Sequence, residues 1–200
     1  MGSVLGKVSV EQPLYEVEKK TAEYEIRKYP SLRIAEVHRS DWKKEENGSA
    51  YDFESQAFRV LASYIGVFGE PKNKDSSNTQ VKIAMTAPVL SQPIGSVETR
   101  MDDSSLAFIL PKEYAEQQEP PQPIDPRVHL RIIPPRKVAA TTFSGTVNRE
   151  TLEAERAEKF MEQLRRDGYR LVSSKWELAR YNPPFTPPPL RRNEILVQIE

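Results

Sequence analysis

His38 and His129 are the only imidazoles in the 200-residue chain, and each lies in an alternating stretch that reads as a strand. A catalytic centre needs a nucleophile, a base and an oxyanion site within mutual reach. The sequence has no G-x-S-x-G, H-E-x-x-H, P-loop or G-x-G-x-x-G to assemble one. Cysteine is absent, which removes disulfides, thiolate-held metals, iron–sulfur clusters and cysteine nucleophiles. Two histidines are too few for a zinc site, so each reads as a hydrogen-bonded structural or surface residue. A haem iron accepts a single histidine and is the narrower alternative. Met85 offers a thioether, but between Ala84 and Ala87 it reads as packing. Glu45-Glu46 and the glutamates between Glu153 and Glu158 read as solvated faces.

Two stretches carry more. In Asn182 to Leu190, NPPFTPPPL, five prolines hold the chain extended at small entropic cost and present Phe185 and Leu190, with Arg191-Arg192 behind. Apolar residues backed by guanidinium groups suit a flat apolar ligand with carboxylates at one edge. The same prolines would also serve as a guard on an edge strand. The second stretch, Tyr51 to Phe68, has helical spacing: Phe53, Ala57, Val60, Leu61, Tyr64 and Phe68 share one side. Ser49 and Asp52 read as a capping box, and Gly66 and Gly69 loosen the end. Tyr51, Phe58, Ala62 and Ile65, with Ser55, form a weaker strip roughly opposite. That strip is either part of a site, or covered by a loop or another chain, or a set of singly exposed apolar groups.

These segments need a frame. Lysine plus arginine equals aspartate plus glutamate at 29 each, so no global charge points to nucleic acid or anionic membrane. No run of about 18 apolar residues exists to span a bilayer, and the N-terminus has no signal-peptide core. Strand patterns run over 15–19, 23–29 and 32–38, the last two joined as a hairpin signal by Pro30-Ser31. Further strands are expected over 81–90, with Pro88 marking an edge, bulge or end, and over 105–110. After the stiff, proline-rich 119–126 the order repeats. Strands 128–133 and 137–143 hinge at Pro134-Pro135. A helix runs from Asn148 to Asp167 with Ala157, Phe160, Met161 and Leu164 inward and Gly168 as its stop; strands 176–181 and 194–199 close the chain. The expectation is α+β: two pseudo-repeated strand-strand-helix-strand-strand halves, about 10–118 and 127–200 of one domain spanning 1–200.

The motifs Tyr24-Glu-Ile-Arg-Lys-Tyr29, Lys82-Ile-Ala-Met-Thr-Ala-Pro-Val89, Phe143-Ser-Gly145, Ala179-Arg-Tyr-Asn-Pro-Pro-Phe185 and Arg191-Arg-Asn-Glu-Ile195 occur in that order. Together they resemble the SOUL/haem-binding protein family over about Val10 to Ile199. The start, MGSVLGKVSVE, and Tyr64-Ile-Gly-Val-Phe-Gly-Glu-Pro71 are similar to its plant cytosolic branch. The resemblance implies an eight- or nine-stranded distorted antiparallel barrel flanked by two helices. It also implies reversible binding of haem or other tetrapyrroles, protoporphyrin included, in a surface groove between the first helix and the loop before the last strand. Carried over by position, the groove residues are Tyr51, Ser55, Phe58, Arg59, Ala62, Phe185, Leu190 and Arg191. Where some relatives have a histidine proposed as iron ligand, this chain has Lys28.

The resulting expectation is a cytoplasmic, monomeric tetrapyrrole carrier or buffer with no chemistry of its own, no metal ligand set, no nucleic-acid partner and no membrane span. Two other roles are open to the same sequence. One is a small-molecule hydrolase or tetrapyrrole-modifying enzyme using Tyr51, Glu54 and Tyr64 in the same groove. The other is a protein-interaction role for the helix from Asn148 to Asp167.

Overall fold

Two short corners, Pro30-Ser31 and Pro134-Pro135, decide how the strands pair. A two-residue hairpin uses a primed turn whose first residue has positive φ, and proline is locked near −65°. Neither corner can therefore close a tight hairpin on itself. The computed structural model describes residues 3–4, 7–42, 50–92, 104–116, 118–147 and 152–200, and in it each strand beside a corner takes its partner from the other half.

The elements are β1 (Ser3–Val4), β2 (Lys7–Val8), β3 (Glu16–Lys20), β4 (Glu25–Tyr29), β5 (Leu32–His38), α1 (Ala50–Ile65), β6 (Asn73–Lys74), β7 (Val89–Gln92) and β8 (Ser105–Ile109). They continue with α2 (Lys112–Glu116), β9 (Gln122–Pro123), β10 (His129–Ile133), β11 (Arg136–Phe143), α3 (Leu152–Arg166), β12 (Leu171–Arg180) and β13 (Asn193–Ile199). The expected hairpin of residues 23–29 with 32–38 is not formed. β4 pairs with β11, Tyr29 opposite Arg136, and β5 pairs with β10, Leu32 opposite Ile133. One nine-stranded antiparallel sheet results, in the order β10-β5-β8-β7-β12-β13-β11-β4-β3. It curls into a half-barrel, as the α+β expectation required.

Alternation along the strands divides the core into an inner layer and two outer ones. Ile34, Ala107, Ile109, Val138 and Leu196 share the inner layer. Their neighbours Val37, Leu106 and Phe108 face outward to Phe53, Ala57, Leu61 and Tyr64 of α1. Ala157, Phe160, Met161 and Leu164 of α3 meet Leu178, Ile195 and Val197, the inward set expected of that helix. The caps expected at Ser49 and Asn148 lie outside the described residues. α1 stops at Ile65 because Gly66 takes φ +83°, with Pro71 packed where a Cβ would sit. No helix among the described residues is long and apolar enough to cross a membrane.

Two further expectations change. The strand over 81–90 is confined to β7, its last residues. Upstream, the Asn73 side chain donates to the Val81 carbonyl and accepts from its amide, Ile83 donates to Ile65, and Ala87 donates to Glu11. These bonds go to scattered partners rather than to a strand ladder. The two opposed strips on α1 are one broad arc: Ala62 and Ile65 are as buried as Leu61, and Phe58 sets its ring edge against Phe108 at 5.3 Å. Phe68, placed on the inner side by periodicity, lies beyond the helix end and is exposed.

One end of the inner layer is ionic. Arg27 donates to both carboxylate oxygens of Glu194, at 2.8 and 3.0 Å, and neither side chain reaches solvent. Tyr181 Oη (2.8 Å), Arg192 Nη2 (2.7 Å) and Thr142 Oγ1 (3.2 Å) donate to the same carboxylate, and Tyr15 lies under the Arg27 guanidinium. Burial would raise the Glu194 pKa, but the bonds and charges of Arg27 and Arg192 outweigh it and hold it at about 2. The folded pKa is depressed, so this stabilisation is complete above the unfolded value of ~4.3 and is lost as pH falls toward 2. Glu194→Gln leaves Arg27 buried without its anion and is expected to cost about 3–5 kcal/mol near neutrality. Urea unfolding across pH checks this: the variant should lose less stability between pH ~4.5 and 2 than the parent, and parallel acid limbs would refute the assignment.

Candidate functional site

The expected groove has α1 on one side and the 182–190 loop on the other, and an ion pair joins their bases. Glu54, on the first turns of α1, accepts from Arg180 Nη1 and Nη2 at 2.9 and 2.6 Å. Arg180 is the last residue of β12, and the loop begins two residues later. Beside this clasp, Val89 of β7 pairs with Arg180, and Val89, Met85 and Phe58 are all half-buried against the α1 core. A partly open apolar margin therefore borders the point where helix and loop are tied.

The loop is a braced shelf. Thr186 N donates to Pro183, Leu190 N to Pro187, and the chain ends in a short 3-10 turn over Pro188–Leu190. Gly145 N donates to the Pro188 carbonyl, and Asn193 Nδ2 donates to the Gly145 carbonyl, fixing the shelf to the turn after β11. Gly145 holds φ +111°, a conformation that favours glycine. On this scaffold Phe185 is 78% exposed and Leu190 45%, while Thr186 is buried beneath them. Exposing two large apolar groups on a rigid support costs solvation free energy that a ligand would recover.

The expected site residues fall into distinct places. Phe185 and Leu190 are presented, Arg59 is exposed on α1, and Ser55 and Phe58 are half-buried on the same helix. Ala62 is fully buried and turned into the core. Tyr51 is in the first turn of α1, but its side chain lies outside the described residues. Arg191 has another job: its Nε donates to the Thr186 carbonyl (2.7 Å) and its Nη2 to that of Pro184 (2.6 Å). Arg192 stacks on Tyr181 at 3.9 Å and bonds Glu194. The guanidinium pair expected to face a ligand's carboxylates thus builds the shelf and the core instead.

Groups weighed for ligation or catalysis are likewise committed. Tyr64 is fully buried, donates its hydroxyl to the Pro121 carbonyl, and is held protonated chiefly by that burial. His38 and His129, remote in sequence, meet on adjacent strands with ring centroids 5.5 Å apart. His38 sits 3.4 Å from Glu36, which raises its pKa, and His129 Nε2 is 3.0 Å from Asp41. Lys28 pairs with Glu18 at 2.7 Å. Sequence reasoning missed the Glu54–Arg180 clasp and the histidine pairing. Arg180 stood in the quoted ending motif, but nothing in local spacing pointed to its partner.

The SOUL heme-binding protein family model matches residues 10–198. No curated protein matches the sequence. Among solved structures, the EcmrR C-terminal domain superposes with a TM-score of 0.53 at 10% identity, covering 94% of this chain and 98% of that one. EcmrR in its DNA complex gives 0.56 at 9% identity, over 89% of this chain and 57% of that one. A hydrolase from Listeria innocua gives 0.50 at 14% identity, over 92% and 94%. At these identities the likeness is one of fold.

The braces on the shelf are open to test. Removing the Arg191 guanidinium with Arg191→Ala should speed hydrogen exchange of the Thr186 and Leu190 amides about tenfold or more, leaving the urea midpoint almost unchanged. If exchange stays at the parent rate, the prolines alone hold the loop and Arg191 has no bracing role.

Proposed function

Because the chain belongs to the SOUL heme-binding protein family, we propose that it binds haem and other tetrapyrroles reversibly between α1 and the 182–190 shelf. In this reading it acts as a monomeric cytoplasmic carrier or buffer, of the plant cytosolic type that its N-terminal stretch resembles. The observation that carries the placement is the Glu54–Arg180 clasp, which roots the shelf bearing Phe185 beside the half-buried margin of Phe58, Met85 and Val89. A porphyrin face is flat and apolar, and such a margin facing a rigid aromatic suits it.

The polar rim is Arg59 together with Ser55. Arg59 is exposed and makes no ion pair among the described residues, so it is the cation left for a propionate now that Arg191 is engaged. Iron ligation receives no support from the described side chains. His38 and His129 are held by Glu36 and Asp41, and Met85 packs on the α1 core. Binding then rests on apolar contact and propionate pairing, which haem and protoporphyrin share. Of the groups named for the enzyme alternative, Glu54 is bidentate to Arg180 and Tyr64 is buried, which favours the binding reading.

Titration of haem and protoporphyrin into the purified protein tests this. Both are expected to bind with affinities within about tenfold of each other, and Phe185→Asp and Arg59→Glu should each weaken both by about tenfold. These residues are exposed, so the variants should unfold at the parent midpoint. Haem binding about a hundredfold tighter than protoporphyrin, with a six-coordinate spectrum, would replace apolar binding by ligation. Unchanged affinity in both variants would move the site off the shelf.

A further inference from the structure

At the end of the half-barrel away from the Arg27–Glu194 pair, the inner layer does not close. A cavity of about 200 Å³ remains, floored by Ile133, Val138 and Leu196 and bordered by Arg136, Lys175 and Gln198. We propose that this cavity is a second binding site, for a small molecule with a carboxylate on a short apolar or aromatic body.

The first support is the shape of β12. Leu171 pairs with Ile199, and pairing resumes only at Trp176 opposite Val197. β12 therefore takes five residue steps while β13 takes two, and the surplus leaves the ladder. Bulges of this kind re-aim side chains next to functional sites. Here the released segment brings Ser173 and Lys175 to the cavity wall, with Trp176 beside them. Regular pairing would have carried β12 straight along β13.

The second support is charge. Two of the three cations in the wall are neutralised: Arg131 is bidentate to Glu36 at 2.6 and 3.0 Å, and Arg136 is bidentate to Glu177 at 2.9 and 2.6 Å. Lys175 makes no ion pair among the described residues, which leaves one positive charge in excess. Arg136, whose side chain is 10% exposed, also keeps its Nε buried with no acceptor. A buried donor without a partner is uncommon and marks a place where an acceptor would be stabilised. One excess charge and one spare N–H suit a monocarboxylate better than a phosphate dianion. The apolar floor suits a hydrocarbon body.

Size separates this site from the groove beside α1. The volume is below the ~300–1,000 Å³ of drug-sized sites, so a tetrapyrrole does not fit inside. The inference stands without the tetrapyrrole reading.

Benzoate is the probe, and benzylammonium, of similar shape and opposite charge, is the control. The Trp176 backbone amide signal reports on the cavity wall, its side chain packing toward α3, while the indole N–H signal of Trp42, buried against α1, serves as reference. Benzoate should shift the Trp176 signal saturably with a Kd of about 1–10 mM, and benzylammonium should not. The exposed Lys175→Glu, which keeps the core intact, should weaken benzoate by at least about fivefold and leave protoporphyrin titration unchanged. Four results would overturn the proposal: no saturable shift up to about 30 mM, an equal response to benzylammonium, unchanged affinity in Lys175→Glu, or loss of protoporphyrin binding in that variant. Failure of protoporphyrin binding in the parent protein bears on the groove alone.

Discussion

The pairing of strands across the two halves is the constraint on which this structure rests. Pro30 and Pro134 stand first in two-residue corners, where a tight hairpin needs a conformation closed to proline. β4 and β5, and likewise β10 and β11, consequently separate and recombine as β4–β11 and β5–β10. The exchange makes one sheet from both halves, and its curl leaves the two long helices only the outer face. It also sets the long proline loop between neighbours, β12 and β13, so that both ends of the shelf are fixed by ladder bonds. The loop can then present apolar side chains without collapsing onto the core.

The inner layer of the half-barrel is filled differently along its length. Its middle is apolar, with Ile34, Ile109, Val138 and Leu196. One end is closed by Glu194 with Arg27, Arg192, Tyr181 and Thr142, a network in which every acceptor lone pair finds a donor. A buried pair of this kind gives little net stability over an apolar filling, yet losing either member leaves an uncompensated charge, so it fixes the register of β4, β11 and β13. The other end carries Glu36–Arg131 and Glu177–Arg136 and stays partly empty. The contrast between the ends lies in closure: one network is complete, while the other keeps a donor in reserve.

Much of this was legible wherever a pattern is local. The α3 face of Ala157, Phe160, Met161 and Leu164 follows from the helical period alone, as do the strands 105–110 and 194–199 from theirs. The pairing of 23–29 and 32–38 was not legible, because the hairpin signal at Pro30-Ser31 depends on turn chemistry that period-two alternation ignores. The α1 arc was misdivided for a related reason. α1 is covered by Ile83, Tyr114 and Val128 as well as by β5 and β8, so Ala62 and Ile65 look like a second face when they are the edge of the first. Residues 81–88 have strand composition, but the bonds seen there go to scattered partners, Val81 to the Asn73 side chain, Ile83 to Ile65 and Ala87 to Glu11, rather than to one neighbouring strand. At the site, the exposed aromatic on a proline-stiffened loop could be read directly. The employment of Arg191 could not, since its acceptors are backbone carbonyls that no residue type announces.

The fate of the polar groups around the groove bears on what it can do. Proton transfer needs a titratable side chain with room to reach its substrate and a pKa near the working pH. Glu54 spends both oxygens on Arg180, Tyr64 donates its hydroxyl hydrogen bond to the Pro121 carbonyl inside the core, and Arg191 donates to the loop beneath Phe185. Each is used to hold geometry. These polar groups are spent on bracing while Phe185 and Leu190 remain outside, and in the proposed reading that stiffness would lower the entropy lost when a ligand docks. The same stiffness caps the strength of the contact, because a shelf that cannot fold over its guest leaves much of that guest in water. In the proposed reading such a balance would favour exchange over retention, as a carrier role requires.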